Sequence, residues 1–127
     1  MSFIKIERPW GWYINMDGDQ EITGSQSPVE NHGYKVKRIG VYPGKRLSLQ
    51  SHEKRSEHWV IIKGHATVQV GQDLLHLEPN HHVYIPKGVL HRLTNNGEEM
   101  VELIETQIGD YLGEDDIKRY EDDFGRV

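Results

Sequence analysis

The chain has 127 residues, 35% of them hydrophobic and 28% charged, with a formal net charge of -5 and no cysteine. Such a length suits one hydrophobic core, so residues 1–127 are expected to form a single unit. The composition excludes a disordered chain, and no apolar run approaches the roughly 20 residues that cross a bilayer. Without thiols there are no disulfide staples and no thiolate metal sites, so a metal would have to be held by nitrogen and oxygen.

The acidic balance and the lack of a Lys/Arg-rich block argue against a nucleic-acid partner, whereas a few cations focused in a pocket could still take an anionic small molecule. The opening MSFIKIERPWG lacks the basic, apolar and small-residue layout of a signal peptide. The expected location is the cytoplasm, with no membrane partner.

The segment Asp17 to His32 has little periodicity and many turn formers, and is expected to be a surface loop. From Tyr34 to about Gln107, short apolar or β-branched runs at period two predict strands near 34–42, 46–50, 57–62, 66–70, 74–77, 82–85, 91–94 and 100–107. Pro43-Gly44, Lys63-Gly64, Gly71-Gln72, Pro86-Lys87-Gly88 and Asn95-Asn96-Gly97 fall between them as turns. This is the pattern of a sandwich or barrel. Near the end, Glu114 with Lys118 and Asp115 with Arg119 stand at i,i+4 spacing, which predicts a short solvated helix over 114–123, the sharper reading being an acidic docking tail.

Two stretches carry unusual chemistry, Gly44 to Gly64 and Asn80 to Asn95. Gln50 and His52 lie two apart on an extended segment, so their side chains leave the same face. Glu57 opens the next strand and can swing back beside His52, while His91 comes from a distant strand. Two imidazoles, a carboxylate and an amide oxygen suit a borderline divalent ion. The competing reading is a set of solvated His and Glu on a β-surface. His32, His65, His76, His81 and His82 gain nothing from spacing and are assigned to loop or surface. His58 alternates to the face opposite Glu57.

The two stretches resemble the cupin signatures G-x5-H-x-H-x3,4-E-x6-G and G-x5-P-x-G-x2-H-x3-N, departing at Gln50, where the pattern has His, and at Asn80, where it has Gly. The setting P-G-x-R-L-S-L-Q-x-H followed by R-S-E-H-W resembles the type II phosphomannose isomerase cupin family, which often occurs as the C-terminal domain of mannose-1-phosphate guanylyltransferases. Glu7-Arg8-Pro9-Trp10-Gly11, Tyr84-IPKG and Gly109-DYLGEDDIKRYEDDFGR extend the likeness along nearly the whole chain. Further histidines that such proteins often carry are replaced by Glu53 and Lys54.

The resemblance implies an all-β cupin double-stranded β-helix, a jelly-roll barrel, with the short C-terminal helix added. It implies one divalent ion, zinc first and manganese, iron, cobalt or nickel as alternatives, held by Gln50, His52, Glu57 and His91. It further implies a stand-alone isomerase of carbohydrate metabolism that interconverts mannose 6-phosphate and fructose 6-phosphate, with a sugar phosphate as ligand and a homodimer as assembly. Glu105, a carboxylate among Val101, Leu103 and Ile104, is the candidate for proton transfer. Arg46 shares parity with Ser48, Gln50 and His52 and is expected at the pocket mouth. Arg8, Lys37 and Arg55 are candidates for the phosphate, and Trp10, with Trp12 and Trp59, for stacking on sugar, although arginines also brace loops and Trp is commonly core. Arg92 alternates away from His91. Other metal-dependent cupin chemistry, as in a dioxygenase or a sugar epimerase-like enzyme, and a non-catalytic sugar-phosphate module are the alternatives.

Overall fold

A computed structural model of the protein describes residues 4–18 and 33–127. Among the described residues eleven strands appear in the order β1 (Lys5–Arg8), β2 (Gly11–Gly18), β3 (Tyr34–Val41), β4 (Leu49–Ser51), β5 (Arg55–Lys63), β6 (Ala66–Val70), β7 (Asp73–Leu77), β8 (His82–Ile85), β9 (His91–Thr94), β10 (Val101–Gly109) and β11 (Lys118–Glu121). They form two antiparallel sheets, one in the order β1-β2-β3-β10-β5-β8 and one in the order β11-β4-β9-β6-β7. No helix of the described residues is long and apolar enough to cross a membrane.

Period-two alternation explains the packing. In β5, Glu57, Trp59 and Ile61 point inward while His58, Val60 and Ile62 face out. His58 lies, as its parity requires, on the exposed side, where its ring stacks on Tyr84 at 4.7 Å between centroids. His65, His76, His81 and His82 are likewise exposed.

The inner face of the larger sheet changes character along its length. At one end the register sets Ile39 and Ile61 on either side of Leu103, and this row joins Val41, Val68, Ile85 and Leu93 in the core. Two residues further along β10, Lys37 and Trp59 flank Glu105. One step beyond, Lys35 and Glu57 flank Gln107. The apolar rows hold the two sheets together by excluding water. Charged and amide side chains facing the same interior must instead find partners or leave room for a ligand.

Three expectations require correction. The region 114–123 is not helical: it turns at Glu114 and Asp115 and then runs as β11 against β4. Its charges make tertiary contacts in place of the expected pairs with Lys118 and Arg119: Glu114 reaches Lys37, Glu121 reaches Arg92, and Asp116 accepts the main-chain N–H groups of Glu53 and Lys54. Second, β1 and β2 were not expected, and β2 carries the chain in strand as far as Gly18, into the segment read as a loop. The remainder of that segment, residues 19–32 with His32, lies outside the described residues. Third, the strand expected over 46–50 is only an isolated bridge from Arg46 to Thr94, with β4 proper starting at Leu49.

Asn80, the departure from glycine in the second signature, has φ +74°, the left-handed conformation in which Asn is the side chain best tolerated after Gly.

Candidate metal centre

His52 opens the loop after β4, Glu57 sits in β5 and His91 opens β9, and register does the rest. Gln50 pairs directly with His91 across β4 and β9, and β5 faces this pair from the other sheet. One ligand atom from each of His52, Glu57 and His91 lies within 4.8 Å of the others, and all three residues are buried. His52 Nε2 is 3.2 Å from Glu57 Oε2, and His91 Nε2 is 3.8 Å from Glu57 Oε1.

The hydrogen bonds on the far side of each ring decide the tautomers. His52 Nδ1 lies 2.6 Å from the carbonyl of Asp116, and His91 Nδ1 lies 3.0 Å from the carbonyl of Val89. A carbonyl only accepts, so both Nδ1 atoms carry the proton and both Nε2 lone pairs point at Glu57. This is the outer bracing that metal-bound histidines show. Burial outweighs the opposing pull of the Asp116 and Val89 carbonyls and of Glu105 and holds both imidazoles neutral: His52 is pushed down to about 4 by burial and then by Arg55, and His91 is lowered by burial.

The cluster fits a cation. The Nε2 atom of His91 is buried without a hydrogen-bond partner, 3.8 Å from a carboxylate oxygen of Glu57. Among the described residues Arg55 is the only lysine or arginine in contact with the carboxylate, through Nε to Glu57 Oε2 at 2.8 Å, and its Nη2 lies 3.3 Å from His52 Nε2. His52, Glu57 and His91 could therefore hold a metal ion with nitrogen and oxygen ligands. Gln50 lines the same cavity and is half-buried.

A cavity of about 330 Å³ opens over this cluster. Glu105 lies in its wall, 5% exposed, accepting from Trp59 Nε1 at 3.0 Å and Gln107 Nε2 at 2.9 Å. The Trp59 N–H is shared with Glu57 Oε1, also at 3.0 Å, so the two carboxylates are bridged by one donor. Burial and then the charge of Glu57 push the Glu105 carboxyl up to about 7.

The cations that line the cavity are Arg8, Lys37, Arg55, Arg119 and Arg126, against Glu57, Glu105 and Glu114, in a chain whose overall charge is negative. Trp10 and Trp59 also line it, whereas Trp12 packs over Gly40 between Lys5 and Arg38. Of the residues expected at the site, Gln50, His52, Glu57, His91, Glu105, Arg8, Lys37, Arg55 and Trp10 are thus brought together.

Arg46 is not. It forms a two-pronged pair with Asp123 at 2.8 Å and does not line the cavity, because the extended parity assumed from Arg46 to His52 is interrupted before β4 begins. Arg92 is structural, binding the Leu47 carbonyl and Glu121. Sequence reasoning missed Glu114, Ile117, Arg119 and Arg126. All lie in the segment read as a helix or its continuation, and the signal that could have found them is the alternation of Ile117 and Arg119 at period two.

This fold and site define a cupin: two facing antiparallel sheets of a double-stranded β-helix with a His, Glu and His cluster inside. Structures of that class match at low identity, which supports the fold alone. Bacillus subtilis oxalate decarboxylase OxdC matches with a TM-score of 0.73 and 16% identity over 92% of this chain and 30% of its own. More specifically, the chain belongs to the mannose-6-phosphate isomerase C-terminal family, whose sequence model matches residues 2–122.

Among curated relatives, the xanthan biosynthesis protein XanB of Xanthomonas campestris is 48% identical over 97% of this chain and 24% of its own length. The mannose-1-phosphate guanylyltransferase ManC of Salmonella typhimurium is 42% identical over 97% of this chain and 23% of its own. The chain spans about a quarter of the length of these relatives.

This corrects the expectation of a stand-alone enzyme that interconverts mannose 6-phosphate and fructose 6-phosphate. Relatives that match nearly the whole chain are proteins about four times as long, named for guanylyl transfer and polysaccharide synthesis. In those relatives the matching region is about a quarter of the protein, and family membership does not carry independent turnover with it.

Proposed function

We propose that this chain is a metal-centred phosphosugar domain with proton-transfer chemistry of the aldose–ketose isomerase type, acting as a working part of mannose-phosphate metabolism. The observation that carries it is the convergence of ligand atoms on His52, Glu57 and His91 beside a cavity that His52 and Glu57 line together with a separate buried carboxyl, Glu105, whose pKa is pushed up to about 7. The relatives' role in mannose 1-phosphate and polysaccharide chemistry supports the substrate class.

A divalent ion, zinc by preference for this nitrogen and oxygen set, would supply Lewis-acid polarisation of sugar oxygens when bound. The residues to hold it are His52, Glu57 and His91, with the Gln50 amide oxygen as fourth donor. Glu105 takes and returns a proton at its carboxylate oxygens, a role for which a pKa near the working pH is best. Trp59 and Gln107 hold that carboxylate by donating to Oε1 and Oε2. Trp10 offers a flat apolar wall, and exposed Arg8 and buried Lys37 add positive charge to the lining.

The test is exchange of carbon-bound hydrogen with D2O in a panel of aldohexose and ketohexose phosphates, with zinc, manganese, cobalt, iron or nickel supplied and then chelated. Deuterium should enter next to the carbonyl carbon in a metal-dependent way, and Glu105→Gln should abolish its entry. Saturable binding of the phosphosugars with no exchange under any metal would replace this reading with that of a binding module.

A further inference from the structure

The geometry points to Arg119 as the residue that takes the phosphate group of the ligand, on the side of the cavity away from His91. The inference deepens the reading above, on which it rests for the identity of the ligand, but an anion site at Arg119 stands on observations of its own.

The first is register. Arg119 in β11 is the cross-strand partner of Gln50 in β4, and Gln50 is the cross-strand partner of His91 in β9. The three form one row. Neighbouring strands lie about 4.8 Å apart, so the Arg119 backbone stands two strand spacings, about 10 Å, from that of His91. A ligand whose reacting end lies over the histidines would extend along this row, with a terminal charged group reaching the guanidinium.

The second is satisfaction. Arg119 Nε is buried with no hydrogen-bond partner, and no side-chain hydrogen bond or salt bridge joins the Arg119 guanidinium to any of the described residues. Every other cation lining the cavity is engaged: Arg8 with the Glu7 carbonyl, Lys37 with Glu114, Arg55 with Glu57, and Arg126 with Asp122 through Nε at 2.7 Å and Nη2 at 3.0 Å. A buried N–H such as Arg119 Nε without an acceptor is costly unless something supplies one.

Third, burial and then the adjacent Arg126 charge disfavour the Arg119 cation, while Asp122 and Glu114 only partly offset them. Asp122 is already committed to Arg126, and Glu114 to Lys37. A dianion between the two guanidinium groups would relieve both the missing acceptors and the repulsion. Planar N–H forks from two directions match phosphate oxygens.

Inorganic phosphate titrated into the metal-free chain tests this without involving the ligand cluster, with the arginine Nε–H resonances as readout. The Arg119 signal should shift in a saturable, salt-sensitive manner. Arg119→Gln should weaken phosphate binding by about tenfold or more, Arg119→Lys by less, and the exposed control Lys45→Gln not at all. If Arg119→Gln loses its folded amide spectrum, Arg119→Lys decides.

Absence of saturable phosphate binding in the unsubstituted chain, or wild-type affinity in both Arg119 variants, overturns the inference. Arg119-dependent phosphate binding without deuterium exchange would leave the anion site standing and remove the isomerase-type reading. Exchange with phosphate affinity indifferent to Arg119 would do the reverse.

Discussion

The main-chain carbonyl of Asp116 lies 2.6 Å from Nδ1 of His52, 64 positions away in the chain. This contact fixes which nitrogen of His52 faces the cavity, and it makes the C-terminal segment part of the candidate metal centre. The Asp116 carboxylate strengthens the tie by accepting the N–H groups of Glu53 at 3.0 Å and Lys54 at 2.9 Å.

Asp116→Ala should therefore loosen the His52 ring while leaving every candidate ligand in place. The expected loss in metal affinity is about 10- to 100-fold, as for removal of other outer braces. Competition against a chromogenic chelator measures it, and unchanged affinity would show that the segment does not position His52.

Glu57 neutralises the buried Arg55 guanidinium, which also has one nitrogen, Nη1, buried without a partner. Glu57→Gln keeps an acceptor but removes the charge, and should cost about 3–5 kcal/mol in the metal-free chain. Urea unfolding reads this directly. A cost under about 1 kcal/mol would mean that Arg55 escapes to solvent.

The pH dependence of the metal-free chain follows from two opposed groups. Glu105, pushed up to about 7 from 4.5, holds its proton more tightly when folded, so the stability it contributes falls as pH rises through that window. His52, pushed down to about 4 from 6.5, resists protonation when folded, so its contribution is lost as pH falls from 6.5 to about 4. Each is worth about 3 kcal/mol at most, and between pH 4.5 and 6.5 they oppose one another. Glu105→Gln should leave only the histidine slope, with stability rising across that interval, and should be more stable than wild type at pH 8. Parallel profiles for the two proteins would remove the assignment of a raised Glu105.

Two turns give a backbone prediction. Gly64 has φ +80°, and a Cβ there would stand 2.6 Å from the Met100 carbonyl oxygen, so Gly64→Ala should cost about 2 kcal/mol or more. Asn80→Ala should cost about 1 kcal/mol, and Asn80→Gly should be close to neutral, because only the left-handed φ is at stake. Thermal unfolding of the three variants checks the order.

Much of the fold was legible because alternation at period two is a local property. The strands Ala66–Val70, His82–Ile85 and His91–Thr94 fall where that alternation puts them. Gln50, His52, Glu57 and His91 were legible through spacing and signature. β11 was not, since acids and bases four apart also satisfy a helix, and only pairing with β4 shows that Glu114 and Glu121 are spent on Lys37 and Arg92. Arg46 misled because parity holds only where the strand is continuous, and there it is a single bridge.

The sequence by itself determined the strands, the nitrogen and oxygen character of any metal ligand, and the inward side of β5 and β10, because these depend on residue type and on spacing within one segment. Only the tertiary structure decided which cations reach the cavity, which nitrogen of each histidine faces it, and that Glu105 is held near neutrality beside Glu57. Those properties arise from burial and from partners on other strands, and a backbone carbonyl such as that of Asp116 leaves no mark in side-chain identity.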